Sequence, residues 1–212
     1  IECFDNSNLQ GTNPVSAMVC FLNGLPAKKE YRLFTPKTVD GPNDFATMFE
    51  VVTRRYKRLL EEETELPDLI IVDGGKGQLS SACDALKAIG LYGKIPIIGI
   101  AKRLEEIYFP EDTLPLYIDK KSESLKLVQQ LRDEAHRFGI TAHRNKRSKN
   151  FIVSQLEEME GIGKLTAQKL LKQFGTIRNM LDAPTVELEK VIGKAKTPAL
   201  ISQLKIWLDE KN

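Results

Sequence analysis

The chain has 212 residues, 42% hydrophobic and 28% charged, with a formal net charge of +2. This is the composition of a soluble globular protein, and no apolar run approaches the roughly 20 residues needed to span a bilayer, so no membrane partner is expected. The small net charge says little about ligands, but its distribution says more: between Lys120 and Asn150 nine basic residues accompany three acidic ones. Such a stretch is either a solvated helix face or a phosphate-facing surface, and by itself it does not decide between them.

The elements follow in order. IECFDNSN is short and β-prone, and Asn-Ser-Asn ends it. PVSAMVCFLNG is a second strand, closed by the Asn23-Gly24 turn signal. AKKEYRLFT reads as a third, so the three form an antiparallel meander. NDFATMFEVVTRRYKRLLEEE has helical periodicity, with Phe45, Met48, Phe49, Val52, Tyr56, Leu59 and Leu60 on one stripe and Asn43 or Asp44 as cap. Leu69 to Val72 is a solid apolar run, the mark of a strand buried on both faces. KGQLSSACDALKAIG is a helix stopped by Gly90, and KIPIIGIAK is another buried strand. EEIYFP and LPLYID flank a turn and predict a hairpin. SESLKLVQQLRDEAHRFGITAHRNKR is a long helix with Ser122 as cap. From about Phe151 no strand signal remains, and four or five short helices break at Gly161-Ile162-Gly163, Gly175, Pro184 and Gly193.

Three antiparallel strands joined to two buried parallel ones predict an α/β mixed sheet with flanking helices, in the order of the ribonuclease H-like fold. The polar Asn145–Asn150 stretch is taken as the boundary, giving domains 1–150 and 151–212, the second small and all-α. Cys3, Cys20 and Cys83 are widely spaced and lie in apolar runs, which predicts buried free thiols and a reducing cytoplasm rather than a zinc site. The chain lacks an initiator Met and opens directly on a strand, so a piece of a longer protein is expected.

Asp5 ends the first strand and Asp73 ends the buried strand LIIV. Each alone reads as a turn starter. Together, on strands that this topology pairs, they form a pair of oxygen ligands for a divalent cation, Mg²⁺ or Mn²⁺, which can lower the pKa of a bound water and offset phosphate charge. DGGKGQ lacks the spacing and ending of a Walker motif, so its glycines are read as a sharp strand-to-helix turn. Lys102 follows the strand IIGIA at its carboxyl end, where open α/β sheets bind ligands, and can contact a phosphate; a solvated strand-end lysine is the equal alternative. His136 lies on the long helix with Arg132, Ile140 and His143 near its face, either as an ordinary helix histidine or as a ligand or general base. Asp44, Glu105 and Glu106 are candidate outer-shell helpers.

LEEMEGIGKLTAQKLLKQFG carries the most specific local signal. It reads helix, Gly161-Ile162-Gly163, helix: the helix-hairpin-helix pattern, whose backbone N–H groups and helix dipole hold a DNA phosphate without reading sequence. Lys164 and Lys169 add charge, as do Arg144 and Arg147 upstream. A second copy follows in VELEKVIGKAKTPALISQL, with Gly193-Lys194-Ala195 at its turn. That departure weakens a phosphate contact and predicts a role in packing against the first copy.

The segments ECFDNSNLQG, GPNDFATM, PDLIIVDGGKGQL, IIGIAKRLEEIYFP, LVQQLRDEAHRFGITAHRNKR and EGIGKLTAQKLLKQFG together resemble the C-terminal half of the UvrC family of bacterial nucleotide excision repair. The resemblance implies a ribonuclease H-like endonuclease domain with an Asp, Asp, His catalytic set at Asp5, Asp73 and His136, and a tandem helix-hairpin-helix domain. It implies a divalent-metal-dependent endodeoxyribonuclease making the 5′ incision beside a lesion in double-stranded DNA, with UvrB engaged through a segment absent from this sequence. Many relatives carry Ser-His after the first Asp, where this chain has Asn6, Ser7 and Asn8. The alternative from another class is a non-catalytic DNA-binding module.

Overall fold

The computed structural model describes residues 1–7, 15–39, 41–101 and 106–209. It divides into two compact units, Ile1–His143 and Arg144–Asn212.

In the first unit, β1 (Glu2–Ser7) pairs antiparallel with β2 (Val15–Leu22), which also pairs with β3 (Leu25–Pro26) and β4 (Arg32–Phe34). The third predicted strand, Ala27–Thr35, is thus extended only at Arg32–Phe34; its first part is a 3-10 turn at Lys28–Glu30, and the short β3 precedes it. The run Ala27-Lys28-Lys29-Glu30 offers no apolar alternation to hold a strand there. On its other side β1 is parallel to β5 (Ile70–Asp73), β5 is parallel to β6 (Ile97–Ala101), and β6 is antiparallel to β7 (Glu106–Tyr108). The predicted hairpin survives as one bridge, in which Ile107 and Leu116 exchange both backbone hydrogen bonds at 3.1 and 2.7 Å. This mixed α/β sheet with flanking helices is the expected ribonuclease H-like arrangement.

Side chains alternate across the sheet. Phe4, Met18, Ile70 and Val72 face α1 (Asp44–Glu61) and α2 (Lys76–Ala88). Cys3, Val19, Ile71, Ile98 and Ile100 face the long helix α3 (Glu123–Glu157), which lays Leu125, Val128, Leu131 and Ala135 on them. Tyr31 anchors α3 as well: its ring meets Phe138 edge-on at 5.2 Å and its hydroxyl donates to Glu134 at 3.1 Å. The buried stripe of α1 is rotated from the expected one. Thr47, Met48, Val51, Val52, Tyr56 and Leu59 are buried, whereas Phe45, Phe49 and Leu60 are exposed. The three cysteines are free and buried.

α3 does not stop near Arg147 but runs on to Glu157, so the division between the units falls inside it. Ser148, Lys149 and Asn150 are polar but compatible with a solvated helix, and no proline or glycine interrupts them. In the second unit α4 (Lys164–Phe174), α5 (Ile177–Asp182), α6 (Thr185–Ile192) and α7 (Thr197–Asp209) follow, broken where the glycine and proline signals stand. Leu156, Ile162, Leu170, Met180, Leu188 and Leu204 share one core. No described helix is long and apolar enough to cross a membrane.

At the start of β1, Glu2 is buried; its carboxylate accepts from Arg55 Nη2 at 2.5 Å and from the Tyr56 hydroxyl at 2.8 Å. Burial and the Glu2 charge together hold the Tyr56 hydroxyl well above its usual range. Arg55→Met leaves this carboxylate without its cation and is expected to cost about 3–5 kcal/mol. The double change Glu2→Met/Arg55→Met is expected to cost markedly less, because no buried charge is stranded. Urea denaturation of the three proteins measures both, and equal losses from the single and double changes would refute the pairing argument.

Candidate metal centre

β1 and β5 are in parallel register with Asp5 opposite Asp73, and alternation from Cys3 and Ile71 turns both carboxylates toward α3. Asp73 is the last residue of β5, whereas β1 runs two residues beyond Asp5 to Ser7, so Asp5 does not end its strand as the sequence reading expects; Asp5 and Asp73 are 2% and 5% exposed. Ala135 packs on the sheet, and the next residue, His136, brings its ring to the same point: Nδ1 lies 3.1 Å from Asp5 Oδ2. One ligand atom from each of Asp5, Asp73 and His136 lies within 4.8 Å of the other two. Residues separated by 131 positions in sequence thus converge on a space the size of one ion's coordination shell.

The donor set suits a hard divalent cation. Two carboxylates abreast repel each other, and a cation between them replaces that repulsion with attraction. The imidazole adds a neutral nitrogen ligand or a proton acceptor. Burial and the charges of Asp73 and Asp5 also raise the Cys3 thiol well above its usual range, with Arg132 acting in the opposite sense. Cys3 is therefore a neutral filler beneath the site.

Asp44, the first residue of α1, is close by. Asn6 Nδ2 donates to its carbonyl oxygen at 2.8 Å, and its carboxyl is raised by burial and then by the Asp5 charge. Asp44 is not among the three converging ligands, which leaves it the outer position. Glu106 is engaged elsewhere, accepting hydrogen bonds of 2.6 Å from Tyr108 and Tyr117. Lys102, Glu105 and Asn8 lie outside the described residues.

The expected nucleic-acid residues belong to the second unit. Arg144 and Arg147 are exposed on α3. Gly161 has φ +79°, a conformation that side-chain-bearing residues rarely adopt. Ile162 is buried in the helical core, and Gly163 caps α4 without a side-chain hydrogen bond to its first turn. Lys164 and Lys169 are exposed, as are Gly193 and Lys194 at the second turn. Lys196 was not singled out by the sequence. Its ammonium donates to Gly161 O at 3.1 Å, and Glu160 N donates to Gln203 on α7 at 2.9 Å. The second hairpin therefore braces the first; its only sequence signal was the lysine pair flanking Ala195.

The family model of the UvrC RNAse H endonuclease domain matches residues 1–140. The chain belongs to the UvrC family. UvrABC system protein C of Christiangramia forsetii is 64% identical over 196 residues, covering 92% of this chain and 33% of that protein. The protein of the same name from Cytophaga hutchinsonii is 60% identical over 205 residues, covering 96% and 34%. The chain thus spans about a third of the length of these UvrC relatives. Among solved structures, Ciona intestinalis endonuclease V in complex with inosine-containing DNA is 20% identical with a TM-score of 0.33, over 63% of this chain and 55% of that one. That likeness is too remote to inform the site.

If Asp5, Asp73 and His136 hold a cation, Mn²⁺ at a hundred times its Kd should stabilise the folded chain by about 2.7 kcal/mol. Asp73→Asn is expected to abolish this gain. Thermal denaturation with and without Mn²⁺ measures it, and an undiminished gain in the variant would place the ion elsewhere.

Proposed function

We propose that this chain is the divalent-metal-dependent endonuclease portion of a nucleotide excision repair protein, hydrolysing a phosphodiester of double-stranded DNA on the 5′ side of a lesion. The observation that carries the reading is the convergence of Asp5, Asp73 and His136, with ligand atoms within 4.8 Å of one another and the two Asp abreast on parallel strands. Family membership supports it. A divalent cation held there supplies positive charge against the scissile phosphate and acidifies a bound water.

The protein's own contribution is placement. Asp5 and Asp73 are fixed by strand register rather than by flexible loops, so their oxygens need no rearrangement on binding. His136, on a helix anchored by four apolar contacts, is the third ligand or the acceptor of the attacking water's proton. Asp44 orients the outer shell. Lys102 is assigned to the phosphate or the developing charge on it, from its place after β6.

In the second unit, Gly161, Ile162 and Gly163 form the turn whose N–H groups hold a DNA phosphate, with Lys164 and Lys169 adding charge. Gly193 and Lys194 form a weaker second contact, and Arg144 and Arg147 extend the basic surface. The lesion is selected by the assembly that this part serves, a complex of UvrB and DNA reached through another segment of the longer protein.

Nicking of duplex DNA is expected with Mg²⁺ or Mn²⁺ and not with chelator. Asp5→Asn and Asp73→Asn should abolish it, and His136→Ala should slow it by about 10²–10⁴-fold, all with DNA affinity retained. Metal-dependent nicking that survives both Asp changes sinks the assignment; DNA binding without any nicking leaves the non-catalytic binding module.

The double change Lys164→Ala/Lys169→Ala is expected to weaken binding equally across duplex sequences. It should also reduce the slope of log affinity against log salt by roughly one unit per lost phosphate contact. A salt titration with an unchanged slope would remove this turn from the DNA surface.

A further inference from the structure

Phe45 is the second residue of α1 and is 56% exposed, and Phe49, one turn later on the same face, is 40% exposed. Apolar periodicity alone puts both in the core stripe, yet the stripe turns away from them. The Phe45 ring is nevertheless fixed in place. It lies against Gly77, where an added Cβ would come to 2.5 Å from Cε1 and 2.9 Å from Cζ. Gly77 stands in the first turns of α2, a position where alanine would favour the helix. The chain therefore carries a half-exposed aromatic whose ring edge is seated on a helix-weakening glycine.

Short stretches of chain tie Phe45 and its seat to both strands of the candidate metal centre. Asp5 is followed by Asn6, whose amide donates to Asp44 O at 2.8 Å, and Phe45 follows Asp44. On the other strand Asp73 leads through Gly74, Gly75 and Lys76 to Gly77, which seats the ring.

We propose that Phe45, seated on Gly77, is a stacking platform for an unstacked nucleobase flanking the scissile phosphate. The inference rests on the endonuclease reading and adds a specificity-determining residue to it. Any base offers a π-face, so the platform is indifferent to sequence. A base must first leave its neighbours to reach it, and this costs least where the duplex is already mismatched or damaged. Phe45 thereby favours distorted DNA at the incision without reading the lesion itself. Phe49 extends the apolar surface along the helix.

The test is a binding cycle with the intact chain. One set of duplexes carries a mismatch; a second set carries in addition a single abasic residue, moved nucleotide by nucleotide through the bound site. Phe45→Ala is expected to lose about five- to a hundredfold in affinity for the mismatched duplex, the range of one base–aromatic stack. At the one position where the abasic residue removes the stacked base, wild type and variant should bind alike. Phe45→Tyr should retain affinity. Gly77→Ala, which displaces the ring while favouring α2, should behave as Phe45→Ala with its circular dichroism spectrum intact. Equal affinities of Phe45→Ala and wild type for the mismatched duplex would overturn the proposal, as would a loss that no abasic position cancels; the latter would mark Phe45 as part of the fold or a protein-docking face. Nicking by the unsubstituted chain is scored separately. Its absence would count against the endonuclease reading, while the affinity cycle would still decide the role of Phe45.

Discussion

Asp5 and Asp73 stand abreast because β1 and β5 are parallel and in register, and the rest of the site is arranged around that pairing. A slip of one residue along β1 would send Asp5 to the opposite face, toward α1 and α2, and leave Asp73 opposite Phe4 or Asn6. The apolar pattern does not forbid such a slip. Cys3 and Phe4 are both buried apolar residues, one on each side of the sheet, so hydrophobicity alone does not distinguish the two faces. The register is specified by the polar groups at the ends of the strand. Glu2 must reach Arg55 and Tyr56, and a displaced Glu2 would strand a buried carboxylate. The interaction that sets the register of the candidate metal centre thus lies at the far end of the same strand.

This explains which parts of the molecule were legible in the sequence. The run Leu69–Val72, the periodicity of residues 44–61 and the glycine breaks after residue 160 each carry a local signal, and each element stands where that signal put it. Asp73 is legible as a strand-end carboxylate and Asp5 as a carboxylate on the first strand, but their register is not, since it rests on Glu2 meeting Arg55 and Tyr56, 53 and 54 positions further along. His136 could not be assigned from its own helix; its neighbours Arg132 and His143 say nothing about the sheet beneath. The continuation of α3 through 145–150 carries no local signal, because solvated polar residues sit comfortably in a long helix. The third strand is shorter than expected for the opposite reason: β-prone residues at Tyr31–Phe34 hide the charged turn before them.

The helical unit shows the same separation of roles between neighbouring residues. Ile162 is buried in the core, while Gly161 and Gly163 on either side hold the turn open at the surface. The second hairpin departs from the Gly-apolar-Gly pattern at Lys194-Ala195, and the structure gives that departure a use. Lys196 and Gln203 reach back to the backbone at Gly161 and Glu160. Trp207 Nε1 donates to Gln155 at 2.6 Å, tying α7 to the end of α3. One hairpin thereby presents its turn to solvent, and the other stiffens it.

The two buried carboxylates of β1 make the final point about how stability and function share one strand. Glu2 and Asp5 are three positions apart, on opposite faces, and both are nearly inaccessible to water. Glu2 is matched inside the fold by the Arg55 guanidinium and the Tyr56 phenol, whose ring also packs on Phe4 in the core, and its role is structural. Asp5 is set against a second carboxylate in parallel register and against a half-exposed imidazole. Placing like charges side by side is a poor way to stabilise a sheet. It is a good way to make the folded chain bind a cation, because the repulsion relieved on binding adds to the attraction gained. The cost of ordering that arrangement is met by the apolar packing of α1, α2 and α3 around it, so the ligand encounters a site already formed.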